Sequence, residues 1–510
     1  MNEAELIATI EHTVKPEVQC HLGELPIHQM ASLDAVEGLC RRLVMAAARL
    51  VLDAWKDALE QVVRTLTLAC PKCGATRKCK RRPGQPMQLR LLGLEVALEK
   101  LYLECDCCDA PGVSITRLLT GLSSGDASME LKLVAAYCAA QQSYGKASSA
   151  LAVHHGQEVE RTWLRRQSLQ VERMAKAHAE RGRAQALRRI SGEGRVLGAD
   201  RLMLQGDGGS VRTGQLVACE PGDPGYGKTT AKTHKPRRKR PELKREIITL
   251  DVRQPGAMEA TGLDIVVPVE APQGERARRM LALAARQGLG DNTQVLGLGD
   301  LGSRLPQSFD EAFCGYESLY CGDWNHVRGY VTAAAEQLEG LDNERWQTEM
   351  RTAIWERDLE RRNALLVEAR RRRVLPLPKD LVRCPLDALE SYLCNNWDRM
   401  HAARLKEMGV DFVSARAESQ VRDRTKSRFA VPGAWRQENL EGKATLKAII
   451  DDGRFEDFRR DCLERSQDLF EKQLADRIKQ ALGEGRISRC QENALLSCGS
   501  AAGQALDMAA

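Results

Sequence analysis

The spacing of hydrophobic positions changes several times along the 510-residue chain. Residues 1–66 carry apolar side chains at helical spacing, and residues 127–180 show the same pattern. From about residue 195, short apolar runs alternate with glycine-rich turns, which is typical of strands. After residue 327 the chain is again charged and helical. The pattern predicts a multidomain α+β protein in which a strand-rich segment lies between helical ones.

Composition and charge favour a soluble protein that binds a polyanion. The chain is 43% hydrophobic and 29% charged, and no apolar run is long enough to predict a transmembrane helix. The N-terminus has neither a basic n-region nor an apolar h-region, so no signal peptide is predicted and the cytoplasm is expected. The net charge is only +6, but residues 234–245 and 370–373 are basic runs. Such runs suit either a solvated face or a polyphosphate partner.

One stretch concentrates cysteines at metal-ligand spacing. The predicted ligands are Cys70, Cys73, Cys105 and Cys108. Two strand-like segments between the pairs, Met87–Leu92 and Leu94–Leu103, have the right length to bring them together as a zinc ribbon. Cys107 competes for the fourth position, and Cys79 is a further alternative. A closed four-thiolate site has no open coordination position, so structural Zn²⁺ is predicted.

Three short helices are predicted after the ribbon, over Leu131–Ala140, Tyr144–Leu151 and Val159–Leu169. Their order fits a helix-turn-helix whose third helix enters the major groove of DNA. The DNA-facing candidates on that helix are Arg161, Thr162, Arg165 and Arg166, and Trp163 and Leu164 are available to anchor its other face. A plain helical bundle with solvated arginines is the alternative.

Two predicted strands each deliver an aspartate flanked by glycine. Asp207 follows the apolar run Leu202–Leu204, and Asp300 follows Val295–Leu298. Carboxylates at the ends of two neighbouring core strands can share one metal site, and oxygen ligands of this kind suit Mg²⁺. Taken singly, each aspartate is also typical of a simple turn.

The order of elements favours the metal site over two separate turns. Strands, a helix over Gly274–Gln287 and a further strand follow one another between Arg201 and Asp300, and Ser318–Asp323 adds another strand. This is the order of an RNase H-like mixed α/β core. A third carboxylate is then expected on a later helix.

Glu418 provides that third carboxylate. Arg422, Arg424 and Lys426 follow it, so the same element could bind metal and DNA phosphates. Glu418 and Arg422 also have the i,i+4 spacing of an ordinary helical salt bridge, which is the alternative.

These motifs resemble the DDE transposases of bacterial insertion sequences with Mutator-like cores, and the Kra-type family in particular. Gly-Asp207-Gly, Leu-Gly-Asp300 and Asp323-Trp-Asn-His326 carry the resemblance, which covers roughly residues 65–450. In that family the final glutamate follows an all-helical insertion, which corresponds here to Val327–Met408.

The resemblance implies two-metal DNA cleavage and strand transfer. Asp207 and Asp300 would bind Mg²⁺ or Mn²⁺, and Glu418 would complete the second metal site. His326 would position the scissile phosphate or donate a proton, and Asp323 would bind metal or hold His326. The implied partner is double-stranded DNA, both terminal inverted repeats and target. A homo-oligomer on DNA, no membrane partner and a nucleoid-associated cytoplasmic location complete this expectation.

Two alternative functions are weighed against the transposase. One is a non-catalytic DNA-binding protein with a zinc ribbon and a helix-turn-helix. The other is a P-loop ATPase, because Gly222–Thr229 matches the P-loop pattern letter for letter. Residues 230–245, however, are basic, contain Pro236 and Pro241, and have no apolar face, so they do not predict the helix that a P-loop opens. A glycine-rich basic loop at 221–245 that can contact DNA is the preferred interpretation.

Domain boundaries follow from these assignments. The predicted regions are an N-terminal helical region (1–66), a zinc ribbon (67–112), a helix-turn-helix region (124–192), the first part of the RNase H-like core (195–326), an all-helical insertion (327–410), the end of the core (411–450) and a C-terminal helical region (451–510).

Overall fold

The computed structural model describes most of the chain, in segments. The described residues are 46–57, 59–61, 64, 68–81, 86–123, 125–192, 194, 196–213, 217–222, 226–229, 238–239, 243–255, 262–266, 274–301, 304–339, 342–372, 384–413, 419, 427–429, 435, 437–487, 491–492 and 495–496. They divide into two compact units. The ribbon unit covers Met1–Ala139, Tyr144–Ser168 and Arg459–Ala510, and the sheet unit covers Ala140–Ser143 and Leu169–Phe458. Among the described helices, none combines the length and apolar character needed to cross a membrane.

Five short strands form the centre of the ribbon unit. They are β1 (Lys78–Arg81), β2 (Met87–Leu91), β3 (Leu94–Leu98), β4 (Leu101–Glu104) and β5 (Val113–Ser114). β2 and β3 form an antiparallel hairpin, while β1, β4 and β5 form a second antiparallel sheet in the order β1-β4-β5. Gly93 lies between β2 and β3 with φ 76°, a conformation that glycine adopts without a steric cost.

Helices close the core of the ribbon unit. They are α1 (described residues 46–57 and 59–61), α2 (Ile115–Thr120) and, from the far end of the sequence, the part of a C-terminal helix that lies in this unit. The shared core includes Trp55, Leu98, Leu103, Leu119, Leu474 and Ile478. Residues separated by most of the sequence therefore pack in one apolar cluster.

Three further helices follow the ribbon strands. They are α3 (Met129–Gln141), α4 (Tyr144–His155) and α5 (Arg161–Ile190). Leu131, Leu151, Trp163 and Leu164 pack together as the core of this group. The first two helices agree with the predicted spans, but α5 has 30 residues and is not the short helix expected at Val159–Leu169. Its residues from Leu169 onwards belong to the sheet unit.

A five-stranded mixed sheet organises the sheet unit. Its strands are β6 (Arg201–Thr213), β9 (Leu243–Arg253), β10 (Leu263–Val266), β11 (Gln294–Gly299) and β12 (Ser318–Gly322). The spatial order is β10-β9-β6-β11-β12. β9 is antiparallel to both of its neighbours, whereas β6, β11 and β12 are parallel. The predicted strand at Leu216–Ala218 lies outside this sheet: β7 (Val217–Ala218) pairs with β8 (Arg238–Lys239).

Side chains alternate between two covered faces of this sheet. Leu202, Leu204 and Val295 pack in a large core with α6 (Glu275–Arg286) and α7 (Leu305–Ala312). Met203 and Leu298 point to the other face, where they pack with Ala402, Leu405 and Val410. Burial on both faces explains why these strands read as continuous apolar runs.

The described residues between β12 and Val410 contain helices and no strand. The helices are α8 (Trp324–Ala335), α9 (Asn343–Trp355), α10 (Leu359–Arg371), α11 (Pro385–Asn396), a 3₁₀ turn (Trp397–Arg399) and α12 (Ala402–Glu407). Asp342 and Asp358 cap α9 and α10 by accepting backbone N–H bonds. In the described residues, the segment predicted as an all-helical insertion is helical.

A three-residue helix at Ser427–Phe429 is followed by two long helices, α13 (Gln437–Asp451) and α14 (Phe455–Gly483). α13 packs its apolar side chains, including Leu440 and Ala444, against Ile265 of the sheet edge. It also buries Lys443 against Glu172 of α5, with Nζ 2.6 Å from the carboxylate. Burial lowers the pKa of Lys443, and the nearby Glu172 carboxylate opposes that shift.

Candidate functional site

Three aspartates lie side by side on or next to three parallel strands. Asp300 and Asp323 directly follow the ends of β11 and β12, whereas Asp207 lies within β6, at the point where its pairing with β11 stops. The prediction that Asp207 ends its strand is wrong, because β6 continues to Thr213 through its pairing with β9. Gly206 of β6 is paired with Gly299 of β11, and Gly299 is paired with Gly322 of β12. The residue after each glycine is an aspartate: Asp207, Asp300 and Asp323. The register alone therefore aligns three carboxylates at one edge of the sheet, and Asp323 belongs to the row together with the two predicted strand-end acids.

The glycines of this row leave no room for side chains. A Cβ at Gly299 would lie 2.5 Å from the Gly206 carbonyl oxygen and 2.7 Å from the Tyr320 hydroxyl. A Cβ at Gly322 would lie 2.5 Å from a methyl group of Leu301. Alanine at Gly299 would push against the backbone of β6, and alanine at Gly322 would displace the side chain of Leu301. Gly299 thus allows β6 and β11 to lie close together beside Asp207 and Asp300.

The three carboxylates have different local environments. Asp207 is half-buried, and its Oδ1 accepts the N–H of Gly208 at 2.7 Å. Asp323 is fully buried and caps α8, since its Oδ1 accepts the N–H of Asn325 at 2.7 Å. The Asp300 side chain is 36% exposed. Asp207 and Asp300 are therefore both partly accessible to solvent, and Asp300 also lies beside His326.

His326 lies beside Asp300, in the first turn of α8. Its Nδ1 is 3.5 Å from Oδ1 of Asp300, and its side chain is 34% exposed. The cap at Asp323 starts the helix that carries His326, so the Asp-x-x-His spacing has a structural cause. Asp323 thus orients the first turn of α8, and His326 faces the neighbouring carboxylate.

The Asp300 carboxylate interacts electrostatically with two buried tyrosines, Tyr320 and Tyr392. Burial raises the pKa of Tyr320, and the Asp300 carboxylate adds to that shift. The same two causes raise the pKa of Tyr392. Both hydroxyls therefore stay protonated at neutral pH and bring no negative charge to the carboxylate edge.

Glu418 and the basic residues Arg422, Arg424 and Lys426 lie outside the described residues. Residues 411–413, which precede them in the sequence, lie close to Asp323. The N–H of Trp324, next to Asp323, donates to the carbonyl of Phe412 at 3.2 Å. Phe412 is six positions before Glu418 in the sequence.

An ion pair that the sequence did not suggest holds this returning segment. Arg253 of β9 donates to Asp411 at 2.6 Å, and Gln205 of β6 reaches the same carboxylate oxygen at 3.5 Å. Trp355 packs edge-on against both Trp324 and Phe412. No local motif marks Asp411, because its partners are 158 and 206 positions away.

The four predicted zinc ligands converge in the ribbon unit. The Sγ atoms of Cys70 and Cys108 are 3.5 Å apart, as are those of Cys73 and Cys105, and all four sulfurs lie within 4.8 Å of one another. Four sulfurs at the usual Zn–S distance in a tetrahedron are separated by about 3.8 Å. The cluster could therefore hold a structural metal such as zinc.

Backbone N–H groups point at each of these sulfurs. Although burial raises the pKa of Cys70, the N–H groups of Cys73 and Lys72 lower it to about 6. The N–H of Cys107 lowers the pKa of Cys105 in the second knuckle. The N–H groups of Ala75 and Ala110 act in the same direction on Cys73 and Cys108, but burial and hydrogen bonds from the neighbouring thiols raise the pKa of both. The backbone donors favour thiolates, which are the form that binds metal. The Cys107 side chain is exposed and lies outside the four-sulfur group, whose fourth sulfur is that of Cys108.

Among the described residues, the cysteine group alone gathers three or more His, Cys, Asp or Glu ligand atoms within 4.8 Å of one another. The aspartates of the sheet edge are aligned by register but do not form so tight a cluster. Their side chains are spread along the edge.

The predicted DNA-facing arginines lie at the start of α5. Arg161, Arg165 and Arg166 are exposed, while Trp163 and Leu164 on the opposite face are 7% and 0% exposed. Two exposed acids, Glu158 and Glu160, precede the helix, and Glu160 accepts a hydrogen bond from Thr162 at 3.1 Å. The anchoring face is as expected, and the basic face is open to a partner.

The glycine-rich segment at 222–229 is followed by strands. In the described residues between 217 and 253, the elements are β7, β8 and β9, with turns at Gly222 and Gly227. A P-loop opens a helix packed on a sheet. The described part of this segment contains no helix, but residues 230–237, where such a helix would begin, lie outside the described residues. The prediction against nucleotide binding therefore stays a prediction.

No protein-family model and no curated protein matches the chain. Among solved structures, the chain is similar to the Drosophila P element transposase strand transfer complex. The identity is 9%, the match covers 74% of this chain and 92% of that chain, and the TM-score is 0.21. A likeness at that TM-score carries no argument about function, so the family resemblance of the sequence stays a prediction.

Proposed function

We propose that the protein is a DNA transposase of the DDE type, which cleaves element ends and joins them to target DNA. The observation that carries the proposal is the row of aspartates after Gly206, Gly299 and Gly322. His326 stands 3.5 Å from the middle carboxylate. The finer assignment to the Kra-type insertion-sequence family is part of the proposal and rests on the sequence motifs alone.

The sheet topology supports an RNase H-like core. Numbered in chain order, the five strands β6, β9, β10, β11 and β12 lie across the sheet in the order 3-2-1-4-5. The second of them, β9, is antiparallel to the other four. This arrangement brings the first and fourth strands side by side. The proposal needs these two strands to be neighbours, because Asp207 lies within the first and Asp300 directly follows the fourth.

The donor set at the edge suits a hard divalent cation. Asp207, Asp300 and Asp323 offer carboxylate oxygens, which Mg²⁺ and Mn²⁺ prefer. We assign the metal to Asp207 and Asp300, with Glu418 completing its ligands. When bound, such ions activate the attacking oxygen and stabilise the leaving oxygen of a phosphodiester.

The residues around the acids then have separable roles. His326 is exposed beside Asp300, so it can donate a proton to a leaving oxygen or orient the scissile phosphate. Asp323, buried as the cap of α8, acts mainly by fixing His326. Asp411, clamped by Arg253, directs the chain that carries Glu418.

The proposed partners are double-stranded DNA and further copies of the same chain. Arg161, Arg165 and Arg166 contact double-stranded DNA of the terminal inverted repeats, and Arg422, Arg424 and Lys426 bind phosphates near the active site. A homo-oligomer holds two ends together. We place this activity in the cytoplasm, on the nucleoid.

Arg165→Gln should weaken duplex binding by about 3- to 10-fold and reduce the slope of log K against log salt by about one, as expected for one lost phosphate contact. Fluorescence anisotropy over a salt series measures both. Arg173→Gln is the matched control, since Arg173 is exposed on the same helix two turns later. An equal loss for both variants would argue against a dedicated contact at the helix start.

The test of the function is incubation of the full chain with DNA carrying the terminal repeats that flank its gene, in Mg²⁺ or Mn²⁺. Specific strand breaks and joined products, mapped on sequencing gels, are expected. Specific binding without breaks in either metal would favour a non-catalytic DNA-binding protein, the second candidate. The open basic face of α5 and the ribbon would then be its functional parts.

A further inference from the structure

An open cleft of about 420 Å³ lies in the ribbon unit. β4, β5, α2, α14 and the residues just after α14 form its walls. The polar side chains that line it are Tyr102, Ser114, Arg117, Arg477, Gln480 and Arg486, together with Glu484. Three guanidinium groups, those of Arg117, Arg477 and Arg486, thus line the cleft together with one carboxylate.

Arg477 of α14 is fixed in the cleft by backbone carbonyls. Its Nε donates to Leu118 O at 3.0 Å and its Nη2 to Leu119 O at 3.4 Å, at the end of α2. Burial lowers the pKa of Arg477, and no acid opposes this. Within the described chain, no carboxylate forms an ion pair with it.

The acid that lines the cleft is already engaged. Glu484 lies 2.8 Å from Nε of Arg486 and accepts Nε2 of Gln480 at 2.8 Å. Arg117, exposed in the last turn of α2, has no ion-pair partner among the described residues. Of the charged groups lining the cleft, Arg486 and Glu484 cancel, and Arg117 and Arg477 remain as two uncompensated positive charges.

We propose that this cleft binds a phosphate group of the nucleic-acid backbone through Arg117 and Arg477. Guanidinium groups present rigid, planar donors that match phosphate oxygens. Arg477 is held in place before any ligand arrives, so little side-chain entropy is lost on binding. The inference rests on the proposed function in one respect: it takes the anion to be DNA.

Arg117→Gln tests the proposal, because Arg117 is exposed and its change leaves the carbonyl contacts of Arg477 intact. Duplex affinity should fall by about 3- to 10-fold and the salt slope by about one. Arg465→Gln is the matched control: it lies on α14, but Asp461 already neutralises it at 2.8 Å. It should bind like wild type. Circular dichroism and zinc content confirm that each variant is folded.

The outcomes separate the two hypotheses. If the wild type binds duplex DNA and Arg117→Gln binds it with the same affinity and the same salt slope, this inference is overturned and the proposed function is not. Absence of duplex binding by the wild type overturns the proposed function and this inference with it. Inorganic phosphate, added alone and followed by calorimetry, is the second arm. Binding of phosphate that depends on Arg117, with duplex affinity unchanged, assigns the cleft to a free anion and overturns the nucleic-acid proposal.

Discussion

Asp300→Asn is expected to abolish strand cleavage while leaving DNA binding intact. The amide keeps the size of the side chain but removes the charge that a divalent cation needs. Loss of about 4 kcal/mol of metal-dependent stabilisation corresponds to a rate about 1000-fold lower. Single-turnover cleavage of labelled terminal-repeat DNA, with anisotropy on the same DNA, measures both quantities.

Asp310→Asn provides the control for Asp300→Asn. Asp310 lies in the same unit but forms a surface ion pair with Arg399 and has no place in the aspartate row. Its variant should cleave at the wild-type rate, because an exposed pair contributes little to stability. Cleavage by Asp300→Asn within tenfold of wild type would remove Asp300 from the catalytic site and the DDE assignment with it.

Cys73→Ala is expected to prevent the ribbon unit from folding. Structural zinc contributes about 10–16 kcal/mol of binding free energy in small zinc domains, which exceeds the stability of a typical domain. The variant should lose its zinc, measured by mass spectrometry of the metal content, and the thermal unfolding step of this unit. Chelation of the wild type should reproduce the loss.

Cys107→Ala distinguishes ligands from neighbours in the same knuckle. Its thiol lies outside the four-sulfur group, so the variant should keep one zinc per chain and the wild-type unfolding temperature. Full zinc content in Cys73→Ala, or loss of zinc in Cys107→Ala, would contradict the assignment of the ligands.

Local sequence patterns predicted the features that depend on neighbouring residues. The Cys-x-x-Cys pairs are set by local turns, and Gly74 after Cys73 has φ 75°, as the knuckle motif indicates. The apolar runs before Asp207 and Asp300 predicted the positions of two core strands. Register across three strands then follows from pairing, which places Asp323 in the same row.

The features that sequence reasoning missed depend on distant partners. β6 continues to Thr213, past its apolar run, because its backbone pairs with β9 through eleven residues. Lys443 is fully buried on a helix whose pattern would place a lysine in solvent, because Glu172 meets it from another helix. Arg253 and Asp411 pair across 158 positions. None of these partners can be identified from spacing along the chain.

The ribbon unit is built from two segments that are far apart in the sequence, so they are synthesised at different times. Arg77 beside the first knuckle donates to the carbonyl of Arg486, 409 positions later, and Leu474 and Ile478 complete the core over the ribbon strands. At about 5–20 residues per second, a ribosome needs roughly 20–80 s to make the intervening chain. During that time the ribbon strands lack one wall of their core, while the whole sheet unit emerges. The strands of the sheet unit and their aspartates are therefore synthesised before the core of the ribbon unit can be completed by Leu474 and Ile478.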